Sequence, residues 1–306
     1  MSIDKKNTNN SLLSDAWRVL KKNRAAGASA WVMLVMCLLV IFGPILSPFA
    51  LDQTDWYQIA AQPDLASGHI FGTDDLGRDL FVRVMHGGRI SLMVGLVATM
   101  VSVMIGVSYG SISGFVGGKT DAVMMRVVDV LYAMPFLFFV ILLMVFFGRS
   151  IFLIFIAIGA VNWLDIARIV RGQTLNLKGK EFVDAARTGG ATTTRIVFRH
   201  IVPNLLGLVV VYVALTVPQV ILVEAFLSFL GLGVQEPMTS WGALVNQGAR
   251  QMETSPWMLL FPGMFLATTL FCFNFIGDGL RDALDPKDRT RESGLDAFGK
   301  QLERFL

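Results

Sequence analysis

Charged side chains are scarce in this chain. Asp, Glu, Lys and Arg make up 16% of its 306 residues, where a soluble domain carries roughly 25%, so there is too little polar surface to face water all round. Histidine and cysteine are scarcer still. His69, His86 and His200 are the only histidines, and none stands in an HExxH or comparable metal-ligand spacing. Cys37 and Cys272 both lie inside apolar runs, which excludes a disulfide framework and gives no metal motif. Without a nucleophile–base pair or a ligand cluster, the sequence offers no catalytic constellation and no cofactor site. The formal net charge is only +3, and no basic run is interleaved with aromatics as single-strand nucleic-acid binding requires.

What the chain has instead is hydrophobic length: 54% of its residues are apolar. A bilayer core of about 30 Å takes roughly 20 apolar residues as helix. Six stretches qualify: 28–49, 90–113, 127–147, 150–167, 205–230 and 257–276. The expected fold class is therefore an all-α membrane protein with six transmembrane helices. Lys21, Lys22 and Arg24 precede the first stretch as in a signal peptide. Its apolar run is longer than a signal h-region, and Pro48-Phe49-Ala50 is a poor cleavage site, so an uncleaved anchor is expected.

Orientation follows from Lys and Arg, which are enriched in cytoplasmic loops. The segments on the side of the amino terminus hold 6, 2, 7 and 6 of the 26 basic residues. The other side holds only Arg78, Arg83, Arg89, Arg149 and Arg250. Both termini are expected to be cytoplasmic, in a plasma or inner membrane. The outer loop 50–89 is rich in acid, with Asp52, Asp55, Asp64, Asp74, Asp75 and Asp79. Four segments follow: a cytoplasmic tail, 1–26; a first helix with the acidic outer loop, 27–89; a five-helix core, 90–281, containing the inner loop 168–204; and a cytoplasmic tail, 282–306.

Several local patterns carry expectations. Leu13, Ala16, Trp17 and Leu20 recur at helical spacing beside Arg18, Lys21 and Lys22, as in an amphipathic helix on a membrane face; a solvated tail is the alternative. Ser102, Gly106, Gly110, Gly114 and Gly118 repeat every four residues, and such small residues let helices approach closely in lipid. Pro135 and Pro218 interrupt the third and fifth spans, where kinks or freed carbonyls are expected. Gly114-Phe-Val-Gly-Gly118-Lys119-Thr120 imitates a phosphate loop, but Ser113 stands where its first glycine belongs. A short glycine-rich turn is expected, and any ATP must be bound by another chain. Asp129 and Asp165 lie near inner span ends, where water is close. Glu224 lies in the outer part of the fifth span, where a charge is costly. It either lines a pathway or pairs with a buried Arg or a backbone donor.

The longest inner loop reads Glu181-Phe-Val-Asp184-Ala185-Ala186-Arg187-Thr-Gly-Gly190, then nine residues, then His200-Ile201-Val202-Pro203. A short helix, a glycine break, a second amphipathic piece and a proline opening the next span follow from the residue types. Such an element either docks a partner or lies on anionic headgroups. The run resembles the EAA motif of ABC-importer permeases. Asp184 stands for the acid, Ala185-Ala186 match, Gly190 falls in register and Pro203 closes the motif, while His200 and Val202 depart from it. Further strings are similar to the oligopeptide, dipeptide and nickel branch, and most to its C-type subunits. They are Gly72-Thr73-Asp74, Gly77-Arg78-Asp79, Gly88-Arg89-Ile90-Ser91-Leu92, the run from Phe226 to Gly233, Ser240-Trp241-Gly242 and the run from Gly277 to Pro286.

This resemblance implies a type I importer fold. One such subunit pairs with a homologous permease subunit around a peptide pathway, two ATPase subunits bind inside, and an extracytoplasmic peptide-binding protein delivers ligand. It implies that Asp184, Ala185, Ala186 and Gly190, with Pro203, form the ATPase-coupling segment. Dipeptides, nickel chelates and defence peptides are alternative cargoes within the branch. An ion-coupled secondary transporter using Glu224 or Asp129 is the alternative outside it, but it would call for inverted repeats, and no convincing repeat is present.

Overall fold

The computed structural model describes residues 23–284 except 149. Among these residues every regular element is helical apart from two isolated bridges in the outer loop, Thr54 with Arg78 and Thr73 with Asp79. The expected amphipathic helix around Leu13–Leu20 and the tail beyond Leu284 lie outside the described residues.

Helix α1 (Arg24–Leu46) starts where the Asn23 side chain accepts from the amides of Ala25 and Ala26. It ends at Ser47, just before Pro48, as proline disfavours helix in the residue preceding it. Helix α2 (Leu80–Val116) is capped by Asp79, which accepts from Val82 N at 2.8 Å. Its 37 residues extend about 55 Å, well beyond the expected span 90–113. A two-glycine turn at Gly117 and Gly118 leads into α3 (Gly118–Tyr132), so the stretch resembling a phosphate loop is a helix–helix connection.

The third expected span is broken. Helices α3 and α4 (Phe136–Phe147) meet at 82°. Pro135 supplies no amide to the ladder and pushes Met134 away from helical geometry, so the expected kink is a full break. At Pro218 no break occurs, and α8 (Val202–Phe229) passes through it. Helix α5 (Ile151–Lys178) leads into the short α6 (Glu181–Thr188) and α7 (Thr193–Ile196). A widened π turn, Val197–Ile201, joins α7 to α8. Pro203 has no amide to donate, and its ring crowds the carbonyl four residues back; a wider turn there relieves both. Helices α9 (Trp241–Arg250) and α10 (Trp257–Leu284) complete the described residues.

Helices α1 and α2, the run Thr193–Phe229 and Trp257–Asp282 are each long and apolar enough to cross a membrane, and the α3–α4 pair adds one broken crossing. Helix α5, with 28 residues, has the length for a sixth.

The small-residue stripe seats α5 against α2. A β-carbon at Gly110 would stand 2.3 Å from the Ala167 carbonyl oxygen, and one at Gly106 would stand 2.7 Å from the Ile166 side chain. Ser102 Oγ donates to the Gly159 carbonyl at 3.3 Å. Gly118 is not part of this stripe; it begins α3 with nothing near its β position. Asp121 on α3 receives a two-pronged hydrogen bond from Arg171 of α5, with both contacts at 2.5 Å. Ser113 of α2 donates to the same carboxylate, so these ends of the three helices are tied together.

Candidate functional site

The inner loop folds as its residue types dictate. Glu181 and Asp184 occupy the first turn of α6 and Arg187 the last, each favourable to the helix dipole. The carboxy-terminal end is a Schellman cap. Ala191 N donates to Ala186 O (3.0 Å) and Gly190 N to Arg187 O (2.9 Å), with Gly190 at φ +77°. Only a residue without a β-carbon holds that conformation cheaply.

One face of α6 is fixed to the body of the protein. Val183 is fully buried, and Ala186 packs beside it in a cluster containing Phe115, Ile196 and Val197. The Arg187 guanidinium lies 5.3 Å over the Phe115 ring. The opposite face is open: Asp184, Ala185, Thr188 and Gly190 are all exposed. Asp184 makes only a loose contact of 3.6 Å with Arg187. The result is a short helix, anchored through Val183 and Ala186, presenting small side chains outward. Of the residues singled out from sequence, Asp184, Ala185, Ala186 and Gly190 share this helix and its cap. Pro203 stands apart beyond α7 and the π turn, exposed at the start of α8.

Glu224 belongs to a different region. It is fully buried and accepts from Ser228 Oγ (2.7 Å) and Ser91 Oγ (3.0 Å). Ser91 Oγ in turn accepts from Trp241 N (3.2 Å), and Ser240 Oγ, beside Ser228, accepts from Ala243 N (3.2 Å). Two hydroxyl relays therefore join the amino terminus of α9 to one carboxylate. These partners are serines, neither an arginine nor a backbone donor. Asp129 pairs with Arg168 at 2.8 Å with both side chains substantially exposed, and Asp165 is exposed.

The structure also assembles a polar clamp in the outer loop that sequence reading found only as motif strings. Asp74 is fully buried and accepts from Leu76 N, Arg78 N and Arg78 Nε at 2.7–2.9 Å. Arg83 Nε is 3.3 Å from the same carboxylate. Glu236, from the loop before α9, meets Arg78 at 3.1 Å and Arg83 at 3.5 Å. Gly77 turns the chain at φ +73°, and a β-carbon there would collide with Asp55 O. Burial would raise the Glu236 pKa, but the Arg78 charge and hydrogen bond, with Arg83 behind them, hold it below the usual carboxylate value. Burial likewise opposes the Arg78 charge, and Asp74 with Glu236 more than offsets it. The available signal was the recurrence of acid and arginine around two glycines; the partner at Glu236 had none.

Comparison with known proteins gives a consistent result. The family described as the binding-protein-dependent transport system inner membrane component matches residues 106–290. The N-terminal TM domain of oligopeptide transport permease C matches residues 11–63. The chain is 64% identical to the oligopeptide transport system permease protein OppC of Escherichia coli (strain K12), covering 91% of this chain and 92% of that one. It is 47% identical to the protein of the same name from Bacillus subtilis (strain 168), covering 91% of each. The dipeptide transport system permease protein DppC of Bacillus subtilis is 45% identical, covering 91% of this chain and 87% of its own length.

Proposed function

Because the chain belongs to the binding-protein-dependent transport system inner membrane components, we propose that it forms half of an oligopeptide pathway and couples that pathway to ATP hydrolysis on partner chains. It is a multi-pass permease subunit of an ABC importer, and the hydrolysis is performed by separate ATPase subunits. The oligopeptide assignment draws on the 64% identity to a protein of that name. Dipeptide import is the second reading, favoured by the 45% identical dipeptide permease.

The observation that carries the coupling role is the mounting of α6. Val183 is buried while Asp184 and Ala185 are bare, so a partner pushing on the outer face moves the body of the protein through a rigid contact. In this reading 1–26 and 282–306 are cytoplasmic tails, 27–89 is the first span with its outer loop, and 90–281 is the core holding the inner loop 168–204. The partners are a homologous second permease subunit, two ATPase subunits facing α6 and an extracytoplasmic peptide-binding protein facing the outer loop. ATP binding closes the ATPase dimer and pulls the two coupling helices together, opening the cavity outward; hydrolysis resets it. The ligand-loaded binding protein shifts this equilibrium only as far as it favours one state over the other.

The test is co-purification and uptake. The chain, affinity-purified from its own membrane, should retain ATPase subunits, and its deletion should abolish uptake of a labelled oligopeptide. Retention of no ATPase would reject the reading, and uptake that depends on the proton gradient alone would favour a secondary transporter.

A further inference from the structure

We propose that the face of α7, the π turn and the first turn of α8 is a binding site for an anionic phospholipid headgroup. The proposal rests on the cytoplasmic placement of the inner loop given above. A groove of about 620 Å³ is lined here by Thr192, Thr194, Arg195, Phe198, Arg199 and Pro203.

Three observations point to its occupant. Arg195 and Arg199 are exposed, four residues apart, and neither meets a carboxylate among the described residues. Two arginines of α5 nearby are engaged, Arg168 with Asp129 and Arg171 with Asp121. Between the unpaired two, Phe198 is 48% exposed, a large apolar ring only half covered by the chain itself. The same helical run then enters the apolar stretch of α8, where Leu206 and Val210 continue an exposed apolar stripe.

Read along the helix, two threonine hydroxyls and Arg195, then Phe198 with Arg199 beside it, give way to the aliphatic side chains of Leu206 and Val210. That is the order of a phospholipid from phosphate to acyl chain. Basic pockets at the cytoplasmic ends of transmembrane helices bind anionic headgroups, and the arginine fork suits a phosphate's oxygens. The inner loop then divides its labour: α6 faces the ATPase, and the segment after Gly190 is seated on lipid, which fixes the height of α6 above the membrane.

The test uses the intact importer complex in nanodiscs of phosphatidylcholine alone or mixed with phosphatidylglycerol, with lipid retention read by native mass spectrometry and stability by thermal midpoint. Phosphatidylglycerol should raise the midpoint of the native complex. Arg195→Gln with Arg199→Gln should abolish that increment and weaken retention by about thirtyfold, since each basic group near an anionic surface contributes roughly a fivefold factor. Arg195→Lys with Arg199→Lys should restore part of it, and Phe198→Ala should lower it with the charge unchanged.

Equal stabilisation by inorganic phosphate in phosphatidylcholine discs would assign the site to a free anion and overturn the proposal. An unchanged lipid response in the double glutamine variant would do the same. Loss of ATPase subunits from that variant would place the arginines in the ATPase interface instead. Ala185→Arg separates this inference from the coupling reading: it should lose the ATPase and keep the lipid response.

Discussion

Glu224 illustrates how a costly residue is accommodated at the scale of single side chains. A buried carboxylate is tolerated when its oxygens are hydrogen-bonded, and here Ser91 and Ser228 donate to both of them. Glu224→Gln keeps the size and an acceptor, and the serine hydroxyls can turn to suit it. Peptide uptake should therefore be largely retained, with an unchanged response to a collapsed proton gradient; abolished uptake would revive an ion-coupled mechanism. Glu224→Leu removes the acceptor and should lower stability by about 1–3 kcal/mol, seen as a fall in thermal midpoint in detergent. Glu236 gives the pH-dependent counterpart in the outer clamp. Its pKa is depressed in the folded protein, so its contribution is complete above the ordinary carboxylate range and is lost as pH falls through the lowered folded value. Acidification should raise hydrogen exchange in residues 50–79, and Glu236→Gln should remove that dependence; an identical acid response in the variant would refute the assignment.

At the scale of elements, α6 is the decisive piece. A β-carbon at Gly190 meets nothing within the chain, so Gly190→Val acts through backbone strain: a β-branched residue at φ +77° costs about 1–2 kcal/mol or more. The Schellman cap opens and the helix loses its exit angle. Ala185→Arg acts differently, adding a long cation to an exposed face that clashes with nothing internally and would be buried against the ATPase. Both variants should insert normally, since no span is altered. Both should lose ATPase association or ligand-stimulated hydrolysis, with uptake falling in parallel. Normal recruitment and uptake in the two together would remove the coupling assignment and leave α6 an ordinary surface helix.

For the whole molecule, topology is the matter to test. The basic residues crowd onto the segments that share a side with the amino terminus, which predicts both termini in the cytoplasm. With Cys37 and Cys272 replaced, Asp64→Cys and Lys287→Cys should react with an impermeant thiol reagent from opposite sides of the membrane. Labelling of both from outside would overturn the orientation, and with it the side on which α6 meets its partner.

The amino-acid sequence by itself determined what depends on neighbours along the chain. Apolar run length marked the long apolar helices, because the bilayer sets that length, and the spacing of Ser102, Gly106, Gly110 and Gly114 marked a close helix contact, because helical periodicity puts them on one face. Asp184 to Gly190 read as helix plus glycine cap for the same local reason. The tertiary structure decided whatever joins distant residues: Asp121 to Arg171 across 50 positions, Ser91 to Glu224 across 133, and the Arg83–Glu236 pairing. It also decided the outcome at two prolines that look alike in sequence. At Pro135 the chain breaks by 82°, whereas at Pro218 the helix runs on. Val217, Pro218, Val220 and Ile221 are all buried, so neighbouring helices pack around this proline and the helix carries it without breaking.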